Sequence, residues 1–546
     1  MSFKLTISGK EKTFEKKVML CDLIDKNDRS IICARVNNRL RELTYEVNED
    51  AKIEFLTVKD GDAVRIYEAS LRYIVAMAFH RVYPELEVRF AYNVSRSVFI
   101  QILNGHAHVN PTMVAQIRAE MNKIVEADYP LIREKYSTDE AIEIYKKNNL
   151  NDKLDALKYR PEKTIHLYEC NGYYNYMFSR MVPSTGYLKT FDLFYYSPGM
   201  ILQYPRAEVG GEIPPFEDAP TFGRTLKESH EWAKIAGADT VVGINKHIRR
   251  DGVIDFIQLC EARHNRMLAE LGERILSDSN VRLICIAGPS SSGKTTFANR
   301  LRVELLSRGL KPIRISLDDY YLPKSQAPLD EDGKPDLESI EALDIELFNQ
   351  NMLDLINGEE VQLPQFDFKL GKRVPGRKLK VALDEPIIIE GIHALNDRMT
   401  TLIPRHQKFK IFIAPQAQIN LDNTNPVSIT DLRLLRRLVR DYKFRNAPAE
   451  ETISMWPSVR RGEFKWIYNT QEGADYVYNS MLSYELCVMK KYALPLLQNI
   501  DVESEYFPVA ERLIRMLKYF EDMPDEWVPC NSLMREFIGG SCYEGA

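Results

Sequence analysis

Residues 281–296 read VRLICIAGPSSSGKTT. An apolar run, 283–287, leads straight into Gly288-Pro289-Ser290-Ser291-Ser292-Gly293-Lys294-Thr295-Thr296. That is G-x-x-x-x-G-K-T immediately after a predicted buried strand. Phe297, Leu301 and Leu305 recur at helical spacing and predict a helix over 296–306. Strand, glycine-rich loop and helix in this order form a phosphate-binding loop. The glycines let backbone N–H groups curl around an anion, and the helix N-terminus adds positive potential. Lys294 can reach the β- and γ-phosphates of a bound nucleotide, and the Thr295 hydroxyl can face Mg²⁺.

At 546 residues the chain is too long for one ordinary core, so several domains are expected. A net charge of −5 argues against a broad nucleic-acid-binding surface. Eight scattered cysteines without a C-x-x-C pair suggest neither a zinc ribbon nor a disulfide framework, and a reduced, cytoplasmic setting is expected. The alternating, charged start MSFKLTISGKEKTF is not a signal peptide. No apolar run approaches the ~18 residues of a membrane span.

The first stretch, 1–68, is predicted to be a small β-rich unit: strands in FKLTI and KTFEKKV around Ser8-Gly9-Lys10, a short helix over 20–24, then strands in IICARVNN, KIEFLTV and AVRIYEA. FKLTISGKEKTF, CARVNNRLREL and IEFLTVKDGDAVRIY resemble the TGS domain at the front of threonyl-tRNA synthetases. The resemblance implies a β-grasp fold with a regulatory or RNA- or ligand-sensing role.

Residues 69–275 are expected to form an α+β unit, with helices over 70–83, 111–127 and 138–147 and a β-prone, aromatic run over 164–204. SLRYIVAMAFHRVYPE and YECNGYYNYMFSRMVPSTGYLKTFDL resemble the accessory editing domain of the same synthetases. That family's hydrolytic site uses His-x-x-x-His, then Cys and a later His. Here Ala69 and Tyr73 stand for the first pair, Cys170 is kept, and Met181 stands for the last. A catalytic zinc needs about three protein ligands, so no editing site is expected. His106 and His108, two residues apart without a third ligand, read as surface residues.

From 276 to the end, strands over 283–287, 312–317, 386–390 and 409–413 alternate with helices over 296–306, 344–355 and 431–443. This is the pattern of a parallel α/β sheet with its site at the strand C-terminal ends. Asp318, with Asp319 beside it, ends one strand, and Glu390 ends another; either tip could present a carboxylate to a phosphate or to Mg²⁺. Arg433, Arg436, Arg437 and Arg440 share one helix face, with Leu434, Leu435 and Leu438 on the other. Such a face could close over a nucleotide's phosphates.

GPSSSGKTT, SLDDYY, VQLPQFDF, IIIEGIHAL and DLRLLRRLVRD together resemble the uridine kinase and phosphoribulokinase family of P-loop kinases. The resemblance implies ATP and Mg²⁺. It implies Asp318 as the base on a nucleoside 5′-hydroxyl, and Thr295, Asp318 and Glu390 around the metal. Tyr321, Glu338, Phe366 and Phe368 would hold the nucleoside, and Arg437, Arg440 and Arg445 would be the lid arginines. Three departures stand out. Gly371 replaces the pyrimidine-reading His, Phe366 replaces a Tyr, and Arg445-Asn446-Ala447 replaces R-G-R. Hydrogen-bonded recognition gives the large discrimination ratios, so weak base preference is expected.

The expected activity is an ATP-dependent nucleoside kinase of the uridine/cytidine kinase kind, a cytoplasmic homo-oligomer acting on a small molecule. The alternatives are a kinase of the same fold acting on a purine nucleoside or a sugar (phosphate) hydroxyl, or an NTP-gated regulator that binds tRNA.

Overall fold

The computed structural model describes residues 2–25, 27–104, 108–160, 162–249, 252–330, 333–367, 370–416 and 419–543. In the first unit β1 (Phe3–Ile7), β2 (Lys10–Phe14), β4 (Ile31–Val36), β5 (Arg39–Arg41) and β7 (Ala51–Thr57) form a sheet in the order β2-β1-β7-β4-β5. The short β3 (Val18–Met19) and β6 (Glu46–Val47) pair beside it. Ser8 and Gly9, and Asn37 and Asn38, take positive φ at the two tight turns, where small or amide side chains are tolerated.

One expectation is overturned here. AVRIYEA is not a strand: residues 61–82 form one helix, α1 (Gly61–Val82), capped by the Asp60 carboxylate, which accepts the Asp62 N–H. Ala63, Ile66, Tyr67, Ser70 and Ile74 are all buried and recur at helical spacing, a period the short alternating run concealed. The helix runs unbroken through residues 68 and 69.

β8 (Val88–Val94), β9 (Ser97–Ile102), β13 (Asp192–Tyr196) and β14 (Gly199–Gln203) make a four-stranded sheet. β10 (Ile132–Ser137), β11 (Thr164–Cys170) and β12 (Tyr173–Asn175) make a three-stranded one. With them lie α2 (Pro111–Glu126), α3 (Thr138–Lys147), α4 (Asn151–Leu157), α5 (Pro220–Ile235), α6 (Val241–Arg249) and α7 (Val253–Leu276). The four positions compared with the family's hydrolytic set are packed into the core. Ala69, Tyr73, Cys170 and Met181 are buried, the Tyr73 hydroxyl donates to the Tyr173 carbonyl at 2.7 Å, and burial pushes the Cys170 thiol up to about 12. His108 is exposed, and His106 lies outside the described residues.

In the last unit β15 (Leu283–Ala287) is followed by α8 (Lys294–Ser307), β16 (Ile313–Ser316), α9 (Ile345–Ile356), the hairpin β17 (Val361–Asp367) and β18 (Lys372–Leu379), β19 (Ile387–Glu390) and β20 (Lys408–Ala414). The short strands β21 (Asn420–Asp422) and β22 (Asn425–Pro426) precede α10 (Ile429–Arg445), α11 (Ala449–Gly462), β23 (Tyr476–Asn479), α12 (Glu485–Gln498), α13 (Phe507–Leu517) and α14 (Arg535–Ile538). The sheet order is β16-β19-β15-β20-β23, and every pairing in it is parallel.

The units are joined tightly. One apolar cluster continues from Tyr145 and Leu167 through Ile257 and Leu271 to Ile284, Leu434 and Leu533. The β21–β22 hairpin plugs into the middle unit. Asp422 pairs with Lys153 at 2.6 Å out of contact with water, the Phe90 N–H donates to the Asn423 carbonyl at 2.9 Å, and Arg72 bonds the Thr424 carbonyl. Arg512 of α13 bridges Asp62 of α1 and Asp431 of α10.

Candidate functional site

β15 is buried along its whole length, as expected for the central strand of a parallel sheet. The chain then turns so tightly that a Cβ on Gly288 would lie 1.9 Å from the Ile413 carbonyl oxygen. Gly293 has φ +91°, and its own Cβ would meet the Leu533 side chain at 2.4 Å. Both positions therefore require glycine. Gly293 is the N-cap of α8 and has no side chain with which to cap it. The cap comes from far along the chain: the Thr296 N–H donates to Glu536 Oε2 at 2.9 Å. The Ser291, Ser292 and Thr296 hydroxyls are buried and have no partner among the described residues. Unmet buried donors at the head of a helix suit a polyanion.

Lys294 folds back over this loop and donates to the Gly288 and Pro289 carbonyls at 3.0 and 3.2 Å. Burial lowers its pKa, and Glu390, Asp318 and Glu536 oppose that in this order. Both strand-tip acids expected from the sequence thus act on this ammonium. The register explains it: Ser316 of β16 pairs with Glu390 of β19, so the residues following β16 emerge beside Glu390. Asp319 turns the other way, to accept the Phe366 N–H at 3.3 Å. Burial first, then the Asp318 carboxylate, pushes Glu390 up to about 7. Burial also lifts Glu338 to about 7, opposed by Arg437 and Lys294. The loop carrying Glu338 is anchored where its carbonyl meets His393 Nε2 at 3.0 Å.

The arginine face divides. Arg433 and Arg436 do not reach outward. Arg433 pairs with Glu463, and Arg436 with Glu485 at 2.6 Å, all four side chains sealed from water. The same guanidiniums donate to the Ser290 and Ser291 carbonyls at 3.0 and 3.3 Å, bracing the loop from behind. Arg437 donates to Ser290 Oγ at 2.8 Å. Asp441, itself buried, lies 3.2, 2.7 and 3.6 Å from Arg437, Arg440 and Arg445. The expectation of four arginines facing phosphate is corrected: Arg433, Arg436 and Arg437 hold the loop, while Arg437 and Arg440 gather with Arg445 on Asp441. Asn446 ends α10 in the left-handed conformation that asparagine tolerates.

Tyr321 sets its ring edge against Phe366 at 5.9 Å and donates its hydroxyl to the Leu337 carbonyl at 3.0 Å. Phe368 lies outside the described residues. Gly371, in the hairpin turn with φ +63°, offers no side chain. Thr295 is half-buried in the first turn of α8. Among the described residues no three His, Cys, Asp or Glu side chains form a metal cage by themselves. Mg²⁺ is held by one or two carboxylates together with phosphate oxygens and waters, which Asp318 and Glu390 beside the loop fit.

Glu463, Glu485, Asp441 and Glu536 went unnoticed in the sequence as parts of this site. Asp441 carried a readable signal, one acid among arginines on one helix. Glu536 carried none, since it lies 240 residues from the N–H it caps.

Residues 283–486 match the phosphoribulokinase / uridine kinase family.

The kinase segment thus has the fold of a P-loop kinase. The amino-terminal region is similar to the threonine–tRNA ligase of Syntrophomonas wolfei, 28% identical over 169 residues, which is 31% of this chain and 26% of that protein. It is also similar to the threonine–tRNA ligase of Clostridium kluyveri, 27% identical over 191 residues, 34% of this chain and 30% of that protein. The chain therefore spans less than a third of the curated relatives it matches. Among solved structures, one described as a possible uridine kinase from Bacillus stearothermophilus is 20% identical, covering 27% of this chain and 79% of that one at a TM-score of 0.24. D-glycerate 3-kinase from Cryptococcus neoformans is 16% identical, covering 49% and 87% at a TM-score of 0.20. No helix among the described residues is long and apolar enough to cross a membrane.

Proposed function

We propose that the kinase segment transfers the γ-phosphoryl group of ATP to an alcohol, with a nucleoside 5′-hydroxyl as the acceptor. The observation that carries this reading is the convergence of Asp318 and Glu390 on Lys294 at the head of the loop. Phosphoryl transfer asks for alignment and charge neutralisation more than for covalent chemistry. Lys294 would release its two loop carbonyls and neutralise the β/γ end of the nucleotide. Asp318 would take the proton of the attacking hydroxyl. Arg437, Arg440 and Arg445 would swing from Asp441 toward the developing charge. Residues 288–296 would wrap the phosphates with backbone N–H groups. Thr295, Asp318 and Glu390 would hold Mg²⁺, which when bound would neutralise phosphate charge.

Tyr321 and Phe366 offer aromatic surface to an acceptor, and Glu338 offers a carboxylate for ribose hydroxyls. Gly371 and Phe366 offer no hydrogen bond to a base edge, so discrimination among bases is weak. This favours a second reading within the same chemistry, a purine nucleoside or a sugar (phosphate) hydroxyl as acceptor. The similarity to tRNA ligases supports a third, an NTP-gated regulator that binds tRNA, with the small-molecule acceptor preferred because the acids and the lysine are all present. All eight cysteines are free thiols, in keeping with a cytoplasmic protein, and a homo-oligomer is the form proposed.

The test is ATP consumption across a panel of nucleosides, sugars and sugar phosphates, with Asp318→Asn as control. Phosphorylation of one acceptor class, lost in the variant, supports the reading. ATP binding without turnover on any acceptor, together with salt-resistant tRNA binding, would favour the regulator instead.

A further inference from the structure

The strap that caps the phosphate loop begins and ends on a cysteine. Cys530 and Cys542 are both exposed free thiols, and the Cys542 N–H donates to the Cys530 carbonyl at 3.0 Å. A backbone hydrogen bond of that length keeps the two Cα atoms close to the roughly 4.4–6.8 Å span of a disulfide. Desolvation, then a hydrogen bond with the Cys530 thiol, raises the Cys542 thiol above its usual pKa.

Between the cysteines the strap crosses the site. Leu533 lies against Gly293, Glu536 accepts the Thr296 N–H, and Phe537 packs under the Arg436 guanidinium at 4.9 Å. Lys443 of α10 donates to the Ile538 carbonyl at 2.5 Å. The strap therefore touches both the phosphate loop and the arginine helix. The Glu536 carboxylate uses an N–H at the head of α8 that a phosphate oxygen would otherwise draw on, and it brings negative charge to that place.

We propose that Cys530 and Cys542 form a reversible disulfide, and that closing it fixes the strap on the phosphate loop and weakens nucleotide binding. The oxidant is a low-molecular-weight disulfide such as oxidised glutathione. One cysteine thiolate attacks a sulfur of the reagent, giving a mixed disulfide and one released thiolate. The second cysteine thiolate attacks the mixed disulfide at the protein sulfur, forming the Cys530–Cys542 bond and releasing the second thiolate. Two protein thiols are oxidised and one reagent disulfide is reduced to two thiols, which take up the two protons. A nucleotide reaching the Thr296 N–H must move Glu536 away, and a strap joined at both ends has fewer open conformations to offer. The nucleotide half of the proposal rests on the kinase reading; the disulfide half does not.

The test uses the full chain equilibrated with graded ratios of oxidised to reduced glutathione, alkylated, and cleaved for mass spectrometry, with ATP affinity measured by equilibrium dialysis at each ratio. A 530–542 cross-link that dithiothreitol reverses, with ATP bound about 5-fold or more weakly in the oxidised form, is expected. Cys542→Ser should bind ATP as the reduced wild type does at every ratio. Glu536→Gln should still form the cross-link while losing most of its effect on ATP. No cross-link at any ratio, or a cross-link with unchanged ATP affinity, overturns the proposal. If the reduced wild type binds ATP no better than Lys294→Ala, the kinase reading fails and takes the nucleotide half with it, while the peptide cleavage pattern still decides the linkage.

Discussion

Arg436 and Glu485 face each other across α10 and α12 at 2.6 Å with neither side chain reaching water, and the same guanidinium donates to the Ser291 carbonyl at 3.3 Å. The pair fixes the phosphate loop to the helical layer behind it. Removing one partner leaves an uncompensated buried charge, which costs about 3–5 kcal/mol. Arg436→Ala is therefore expected to lower stability by that order in chemical denaturation. Arg436→Ala with Glu485→Ala should cost less than the sum of the two single changes, because no lone charge is left behind.

Among the described residues Lys294 donates its hydrogen bonds to its own loop. Lys294→Ala should keep the far-ultraviolet circular dichroism and the cooperative melt of the wild type. Turnover should fall by about 100-fold or more, the scale for losing one positioned charge donor. Wild-type turnover in this variant would contradict the placement of the nucleotide.

Asp318→Asn keeps the shape of the strand tip and removes the proposed base. A drop in kcat of about 10²–10⁴ with little change in the KM for ATP is expected. A change confined to KM would assign Asp318 to binding instead.

Glu390 and Glu338 carry folded-state pKa values of about 7 against an ordinary value of 4.5. Between those limits the folded protein holds protons that the unfolded chain has released. Their contribution to stability is therefore full below about pH 4.5 and is lost as pH rises through 7. Binding of Mg²⁺ and nucleotide draws on the ionised acids, so affinity should move oppositely, tightening between pH 6 and 8. Calorimetry in buffers of different ionisation enthalpy should show proton release on binding, and Glu390→Gln should remove part of it.

Arg512 neutralises Asp62 and Asp431 together, holding both carboxyls below the usual range against their burial. Arg512→Ala should destabilise the whole protein rather than loosen one end. One cooperative transition at lower denaturant would show this, whereas two separate transitions would show that the amino-terminal units unfold alone.

Much of the fold was legible in the sequence because the deciding patterns are local. The run over 283–287, the glycines at 288 and 293 and the spacing of Phe297, Leu301 and Leu305 specify strand, loop and helix within one short stretch. That Asp318 and Glu390 emerge side by side could be read because the end of a parallel strand has a fixed relation to the sheet. AVRIYEA was misread because a short apolar alternation fits two periods, and the Asp60 cap and the neighbours of α1 decided for the helix. The arginine face was misread in part, since spacing gives the side of a helix but not what lies opposite. Glu463 and Glu485 lie opposite, on elements 30 and 49 residues further along.

The sequence by itself determined the strand, glycine-rich loop and helix of a phosphate cradle, and the strands at whose ends Asp318 and Glu390 stand. Only the tertiary structure decided that the cradle is capped by Glu536, braced by Arg433 and Arg436, and joined to the amino-terminal units through Asp422 and Arg512. Local backbone preferences act over a few residues and leave their mark in composition and period. A hydrogen bond between residues 240 positions apart leaves none, because it comes into being only when folding brings the two ends of the chain segment together.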